Sequence, residues 1–279
     1  RQRPPHLSPA LPVMTLDPAI ESSLRARFNP PGSALRQAQL KMLDILVEVD
    51  RICRRNNISY WLSSGTLIGA ARHGGFIPWD DDIDIEMLLP DYKRFCSIAP
   101  RELPHYLKLQ NSSTDPMFLL GFSKVRNTQE KIISNDTRLD RHYSIDGFFI
   151  DIFPIAPSAG FLLHKVSGKL AYWGMFAVNK SYGKPCGKLV RYLFDGMIAT
   201  LKGINNIFSP CFSRSTLRHL LPSTFSKPRD INDIMPLGEI AFEGHSFMAP
   251  ADIDSYLKHL YGNWTALPPL DSIKTHTRL

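Results

Sequence analysis

The sequence predicts an α+β fold in which a mixed sheet is flanked by helices. Three patterns within the 279 residues support this prediction. Apolar residues recur at helical spacing through 35–53, as on the buried side of an amphipathic helix. Carboxylates alternate with apolar residues through 82–87, which is the period of a β-strand. The run 147–154 is apolar except for Asp151, which is typical of a central strand.

The first half of the chain predicts helices and strands in alternation. Ser33 is expected to cap the first long helix, which ends before Asn56. Residues 58–63 predict a short strand, and 67–72 predict a brief helix that ends at a pair of glycines. The chain then predicts one further helix and two further strands, at 90–99, 106–110 and 118–126.

The second half is first helical and then mixed. Residues 161–225 show helical periodicity. Residues 240–248 predict a strand, and Pro250 opens a helix that continues to Leu260. Tyr261 follows this helix and has two interpretations, as a core residue or as the wall of a pocket.

These patterns divide the chain into four segments. Residues 1–32 are rich in proline and lack periodicity, which predicts a mostly disordered leader. Residues 33–160 are expected to form the core, and 161–230 a basic helical insertion. Residues 231–279 are expected to complete the core with a strand and a helix, followed by a disordered tail.

The charge balance favours anionic partners. A formal net charge of +7 and a pI near 9.2 suit a nucleotide, a phosphate, an acidic glycan or a membrane surface. No zinc-knuckle, helix-turn-helix or RNP-like pattern is present, so nucleic acid is not an expected partner. Between Ile152 and Arg229 the only acidic residue is Asp195. The insertion is therefore expected either to contact an anionic membrane or to present a solvated basic face.

Cysteine usage and hydropathy bear on location. The four cysteines are scattered and form no C-x-x-C pair, which favours a reducing compartment. No run of about 18 uncharged apolar residues is present, so we expect no transmembrane helix. We expect a cytoplasmic protein, peripheral at the inner face of the membrane if the insertion binds lipid. The chain begins with Arg1 rather than Met, which leaves room for a preceding signal or anchor.

Two neighbouring motifs are suited to phosphate chemistry. By strand parity Asp82, Asp84 and Glu86 share one face, with same-face neighbours roughly 6–7 Å apart. Carboxylates this close repel one another unless a cation neutralises them, and Mg²⁺ (or Mn²⁺) is the expected ion. Ahead of them, the turn at Gly65 and Thr66 leads into a helix whose free N–H groups suit a phosphate. Phosphoryl and nucleotidyl transfer both require this combination.

Three basic residues near these motifs have two interpretations each. Arg72 presents a rigid fork to phosphate oxygens or forms a structural salt bridge. Lys124 and Arg126 share one face of a predicted strand, where they bind phosphate or lie at a solvated edge. Asp80 shares the face of Asp82 if the strand extends that far.

The stretch 64–85 resembles the LicD family, which includes bacterial phosphocholine transferases and the fukutin and fukutin-related proteins of animals. The resemblance is carried by Ser-Gly-Thr-Leu-Ile-Gly-Ala-Ala-Arg-His at 64–73 and Gly-Phe-Ile-Pro-Trp-Asp-Asp-Asp-Ile-Asp-Ile at 75–85. It implies a nucleotidyltransferase-like core with a third acidic residue on a neighbouring strand. The segment Ile-Asp-Ile-Phe-Pro is typical of the family, so Asp151 is assigned to this position and Asp146 is the alternative.

The resemblance also implies a reaction. A phospho-alcohol (phosphocholine, phosphoribitol or phosphoglycerol) would pass from a CDP-linked donor to a hydroxyl of a free or lipid-linked glycan, with release of CMP, as in lipopolysaccharide or capsule biosynthesis. Asp82, Asp84 and Asp151 would hold Mg²⁺ or Mn²⁺, and Asp151 or Asp80 would orient or deprotonate the acceptor hydroxyl. The alternatives are a nucleotidyltransferase that releases pyrophosphate and a non-catalytic glycan- or nucleotide-binding module on the same fold.

Overall fold

The computed structural model describes residues 16–130, 140–223, 225, 227–269 and 273. In this part of the chain a mixed sheet is flanked by helices, and a separate two-stranded hairpin lies beside it. The predicted α+β class is therefore confirmed. Among the described helices, none combines the length and the apolarity needed to cross a bilayer.

The main sheet has seven described strands in the order β1-β2-β5-β4-β3, with β6 beside β5 and β7 beside β6. The β2–β5 pair is parallel, and the other pairs are antiparallel. The strands are β1 (Trp61–Leu62), β2 (Asp84–Leu88), β3 (Leu107–Gln110), β4 (Ser123–Asn127), β5 (Phe148–Pro157), β6 (Thr216–His219) and β7 (Arg229–Asp230).

Strand β5 is the centre of the sheet. Along one edge it pairs with β2, and along the other edge with β4 and then with β6. Its apolar residues Ile150, Ile152 and Ile155 are fully buried, as expected for a strand that is covered on both faces. The prediction of a central strand at this position is therefore confirmed.

The helices pack around this sheet. Helix α2 (Ala34–Arg55) is capped by Ser33, whose hydroxyl accepts a hydrogen bond from the Arg36 N–H at 3.2 Å. Its residues Leu46 and Val49 are completely buried, and each stabilises the fold by roughly 1.5–3 kcal/mol. The helices are α1 (Pro18–Phe28), α2 (Ala34–Arg55), α3 (Ser64–His73), α4 (Leu89–Glu102), α5 (Phe161–Ser181), α6 (Gly187–Phe208), α7 (Ile231–Ile234) and α8 (Ile253–Tyr261).

The hairpin consists of β8 (Gly238–Phe242) and β9 (His245–Ala249). The sequence pattern predicts one strand over 240–248, but a two-residue turn at Glu243 and Gly244 divides it. Both turn residues have positive φ, 50° and 80°, as a tight hairpin turn requires. The Glu243 carboxylate accepts from Arg36 at 2.6 Å, so the turn is fixed against α2.

Helix α1 lies within the predicted disordered leader 1–32. Asp17 caps it by accepting from the Ala19 N–H at 2.8 Å, and Pro18 occupies its first turn. These two signals favour a helix start, but the proline-rich composition around them masks the pattern. Residues 1–15, the first part of that leader, lie outside the described residues, as does most of the tail after 269.

Two other predictions differ from the structure. The stretch 118–122 is a loop, and the strand predicted over 118–126 begins only at Ser123. The helical pattern expected through 225 ends earlier, because β6 and β7 leave the insertion and join the main sheet. Strands of four and two residues are too short to show a period in the sequence.

Candidate active site

A cavity of about 740 Å³ lies where α3 begins, beside the first residue of β2. Four aspartates contribute to its lining, and we call them the acidic wall; Lys227, Arg229 and His219 contribute basic side chains, which we call the basic wall, and four aromatic rings line the cavity as well. The lining residues are Ser64, Gly65, Asp80, Asp82, Asp84, Phe122, Asp151, Phe153, His219, Phe225, Lys227, Arg229, Leu260 and Tyr261.

The acidic wall is built by two adjacent parallel strands. Asp84 on β2 pairs directly with Asp151 on β5, so the two side chains leave the same face of neighbouring strands, which lie about 4.8 Å apart. Asp82 lines the same cavity from the segment that leads into β2. On the other side of Asp151, Lys124 of β4 donates to its Oδ1 at 2.6 Å. The three predicted metal-binding carboxylates thus line the same cavity.

Backbone contacts hold the α3 turn against this wall. The N–H of Asp84 donates to Thr66 Oγ1 at 2.8 Å, and the N–H of Ser63 donates to the carbonyl of Asp84 at 3.0 Å. Thr66 is buried and does not line the cavity, so it positions Asp84. The predicted phosphate turn and the predicted acidic strand therefore form one unit.

The turn itself shows two features of a built site. Ser64 has φ of +51°, a left-handed conformation that is strained for a residue with a side chain. At Gly65 an added Cβ would lie 2.7 Å from Asp80 Oδ2, so a larger residue would displace the Asp80 carboxylate. The N-cap Ser63 makes no side-chain cap, and its hydroxyl instead bonds Tyr256 Oη at 2.8 Å. The first N–H groups of α3 are thus left without a side-chain cap, and Ser64 and Gly65 line the cavity.

The acidic wall carries excess negative charge. Burial, and then the carboxylates of Asp82 and Asp151, raise the pKa of Asp84 well above its ordinary value. Burial, and then Asp82 and Asp81, raise the pKa of Asp80 in the same direction. Both shifts mean that a cation in this cavity would be electrostatically favourable.

A divalent ion suits the chemistry of this wall. No three carboxylate, His or Cys side chains of the described residues are grouped closely enough to ligate one ion as they lie. Mg²⁺, however, is usually held by one or two carboxylates together with substrate phosphates, and it prefers hard oxygen ligands. Asp82 and Asp84 offer carboxylate oxygens at the lining of the cavity. The assignment of Mg²⁺ or Mn²⁺ to Asp82, Asp84 and Asp151 stays a prediction.

The basic wall was not predicted as part of the site. Arg229 and His219 reach the cavity from β7 and β6, and Lys227 reaches it from the preceding loop. The amino group of Lys227 donates to the carbonyl of Leu260 and lies 5.6 Å from the ring centre of Tyr261. The excess of basic residues in the insertion was the only sequence signal for this wall. Tyr261 lines the cavity, which is one of its two predicted uses.

A buried network fixes the basic wall to β2. Glu86 is fully buried and accepts from Arg229 at 2.6 Å, His219 at 2.8 Å and Tyr256 at 2.7 Å. It also accepts from Trp61 Nε1 at 3.2 Å. Glu86 therefore differs from Asp84, although both leave the same face of β2, because its charge is already balanced. Among the described residues, His219 Nδ1 and Arg229 Nε have no hydrogen-bond partner.

The pKa of His219 predicts a pH dependence of stability. Burial and then Arg229 lower the pKa of His219 from 6.5 to about 4. Between these values the unfolded chain binds a proton that the folded chain does not, so stability rises with pH from 4 to 6.5, by roughly 3 kcal/mol in total. His219→Gln keeps a donor for Glu86 but cannot titrate. We expect urea unfolding at several pH values to show that the free energy of unfolding of this variant rises less steeply with pH than that of the wild type.

The control for this prediction is His245→Gln. His245 is an exposed residue of β9, so its replacement should leave the pH dependence of the unfolding free energy unchanged. If the unfolding free energy of His219→Gln and of the wild type rose equally with pH between 4 and 6.5, the assigned pKa would be wrong.

The structure does not bring every predicted substrate-binding residue into the cavity. Arg72 donates from Nη1 to the carbonyls of Trp264 at 2.9 Å and Ala266 at 3.1 Å, and it ties α3 to the segment after α8. Arg126 donates to the side chain of Gln110 and to the carbonyl of Gly147 at 2.9 Å. Neither residue lines the cavity. Both serve structural contacts in this geometry.

Comparisons with known proteins show similarity to one family of phosphotransferases. The family model described as LicD/FKTN/FKRP, nucleotidyltransferase domain, matches residues 57–199. The lipopolysaccharide cholinephosphotransferase LicD of Haemophilus influenzae is 28% identical over 257 residues, which cover 87% of this chain and 95% of that protein. The human ribitol 5-phosphate transferase FKRP is 56% identical over 67 residues, 23% of this chain and 12% of FKRP.

A third relative is the mouse ribitol-5-phosphate transferase FKTN, which is 31% identical over 83 residues, 30% of this chain and 16% of FKTN. The family model covers half of the chain, and the match to the Haemophilus protein extends over nearly all of both chains. This protein therefore belongs to the LicD/FKTN/FKRP family.

Proposed function

We propose that this protein, a phosphotransferase of the LicD type, transfers a phospho-alcohol from a CDP-linked donor to a hydroxyl of a cell-surface glycan and releases CMP. The observation that carries the proposal is the division of one cavity into an acidic wall and a basic wall. A diphosphate donor needs cationic partners. Its reaction needs a base for the acceptor hydroxyl and a cation that neutralises the negative charge on the leaving CMP. The named relatives transfer phosphocholine or ribitol phosphate, which supports the same class of reaction here.

The donor's diphosphate would lie between the N-terminus of α3 and the basic wall. Arg229 and Lys227 would bind phosphate oxygens from one side, and the N–H groups at Ser64 and Gly65 from the other. The aromatic rings of Phe225 and Tyr261 offer faces on which a cytosine could stack. When bound at Asp82 and Asp84, Mg²⁺ or Mn²⁺ would supply charge neutralisation for the diphosphate.

The acceptor hydroxyl would be activated by Asp151. Its carboxylate accepts the hydroxyl proton as the oxygen attacks the distal phosphorus, and the bond from that phosphorus to CMP breaks. Lys124, 2.6 Å from Asp151 Oδ1, orients this carboxylate and balances its charge. Asp80 also lines the cavity and is the alternative base. In this scheme Lys124 acts through Asp151 and not by binding phosphate.

The test is a panel of purified donors. Protein and Mg²⁺ are incubated with CDP-choline, CDP-ribitol or CDP-glycerol and a glycan acceptor, and released CMP is measured by chromatography. We expect one donor to release CMP and to raise the melting temperature most, because a ligand that binds only the folded state stabilises it. EDTA should stop release, and added Mg²⁺ or Mn²⁺ should restore it.

The same assay with CTP separates the alternatives. Release of pyrophosphate from CTP, without CMP from any CDP-alcohol, would favour a nucleotidyltransferase. Thermal stabilisation by a donor with no turnover would favour the non-catalytic binding module. Turnover that resists EDTA would contradict the metal assignment.

A further inference from the structure

The helical hairpin α5–α6 has an apolar surface where a solvated hairpin would be polar. Exposed apolar residues follow one face of α5 at intervals of four, four, three and four: Leu162, Val166, Leu170, Trp173 and Ala177. This is the spacing of a continuous helical stripe. Trp173 is 68% exposed and Leu162 is 72% exposed.

Helix α6 also carries exposed apolar residues. Leu189, Tyr192 and Leu193 are exposed near its start, and Ile207 is exposed near its end, with Tyr192 75% exposed. The opposite sides of both helices are already used, since α5 and α6 share a buried cluster with residues of the core. The exposed apolar residues of the two helices, which we together name the α5–α6 face, are not members of this buried cluster. Exposed apolar area on this scale marks an interaction site.

The charge around the α5–α6 face identifies the kind of partner. Residues 161–208 contain seven basic side chains and one acidic side chain, Asp195. Asp195 is held by Arg191 at 2.8 Å, so its charge is balanced within the helix. Lys165, Lys169 and Lys180 are exposed and follow the apolar stripe at its edge. The face is thus an apolar strip with a cationic border.

We propose that the α5–α6 face lies flat on an anionic lipid bilayer. Lysine stems can run along the apolar strip while their ammonium groups reach lipid headgroups, and Trp173 and Tyr192 suit the boundary between headgroups and acyl chains. A second protein copy would meet its own positive charge across a symmetric interface, which disfavours a dimer through this face. The charge thus favours an anionic membrane over self-association.

The face begins beside the active-site cavity. His164 of α5 bonds through Nε2 to the carbonyl of Phe225 at 2.8 Å, and Phe225 lines the cavity. A protein docked by this face would hold the cavity close to the membrane surface. If the proposed function holds, on which this consequence alone rests, the acceptor is a glycan on a lipid carrier.

The test is binding of the purified full chain to vesicles without any substrate. Vesicles of phosphatidylcholine with 30% phosphatidylglycerol, on the order of physiological anionic content, are compared with phosphatidylcholine alone. We expect co-sedimentation with the anionic vesicles only, weakened several-fold between 0.1 and 0.5 M salt on the order expected for screened charges. Brominated lipid should quench mainly Trp173, since Trp61 and Trp264 are buried and Trp79 is partly buried against Phe28.

Matched variants locate the binding surface. Leu170→Gln/Trp173→Gln and Lys165→Gln/Lys169→Gln should each weaken vesicle binding by tenfold or more. The controls are Leu40→Gln and Lys258→Gln, which alter exposed residues elsewhere and should bind as the wild type does. Circular dichroism and CMP release with a soluble acceptor should be unchanged in all four.

Each remaining outcome bears on the proposal. No vesicle binding, or equal binding by face and control variants, would overturn it. Self-association in lipid-free buffer that Trp173→Gln abolishes would also overturn it, by making the face a contact between copies. Vesicle binding by a protein that turns over no donor would leave this inference standing while the proposed function fails.

Discussion

Asp84→Asn is expected to reduce CMP release by roughly 10²–10³-fold or more, the usual effect of removing one electrostatic group from a transfer site. Asp84 is the carboxylate that is paired in register with Asp151 and aligned by Thr66. The same change removes like charge from a buried wall, where the pKa of Asp84 is raised. We therefore expect the melting temperature without divalent ions to rise by about 2–4 °C, as for a gain near 1 kcal/mol.

Asp146→Asn is the matched control for this variant. Asp146 is the alternative third acid of the sequence analysis, but its side chain is 48% exposed, does not line the cavity and lies 4.0 Å from Arg126. Activity within about twofold of the wild type is expected, as surface changes are usually small. Wild-type turnover in Asp84→Asn, or loss of turnover in Asp146→Asn, would contradict the site.

Glu86→Gln is expected to destabilise the fold by roughly 3–5 kcal/mol, because it leaves the buried guanidinium of Arg229 without a countercharge. Glu86 is fully buried, and Arg229 lies 2.6 Å from its carboxylate. Urea unfolding at pH 7 measures this loss as a lower midpoint with an unchanged slope. The variant should also weaken donor binding, since Arg229 then has no fixed position in the basic wall.

Two further variants test whether burial of the Glu86–Arg229 pair causes this loss of stability. The double variant Glu86→Gln/Arg229→Gln removes both charges and should recover part of the lost stability, which a double-mutant cycle measures directly. Glu239→Gln breaks a partly exposed pair with Arg54 at 2.8 Å and should cost at most about 1 kcal/mol. Equal losses in Glu86→Gln and Glu239→Gln would show that burial of the pair has no special effect.

The acidic wall could be predicted from the sequence because its signals are local. Alternation through 82–87 places Asp82 and Asp84 on one side, and a lone carboxylate marks Asp151 in an apolar strand. The local pattern singles out Asp151, and the family resemblance assigns it to the site; parallel pairing of β2 and β5 explains why it lies beside Asp84. The glycine turn is equally local, since Gly65 and the residues after it show a helix start.

The basic wall could not be predicted, because its positions depend on distant pairing. His219 lies 133 residues from Glu86, and β6 and β7 are too short to show a period. Arg72 illustrates the reverse case. Its charge and location suit phosphate, but the chain after α8 supplies carbonyls that occupy its guanidinium. The sequence around Arg72 does not show that its guanidinium will bind backbone carbonyls almost 200 residues away instead of a phosphate.

The buried Glu86 network has a consequence for how the catalytic unit is delimited. It ties β2 to β7 and, through Tyr256, to α8, so one carboxylate holds together segments from the first third and the end of the described chain. A fragment limited to the recognisable motif region, 57–199, would keep the aspartates but lack Arg229 and Tyr261. It would also leave a charged side chain stranded inside the sheet. The shortest fragment that keeps both the aspartates and the Glu86 network therefore runs from α2 through α8.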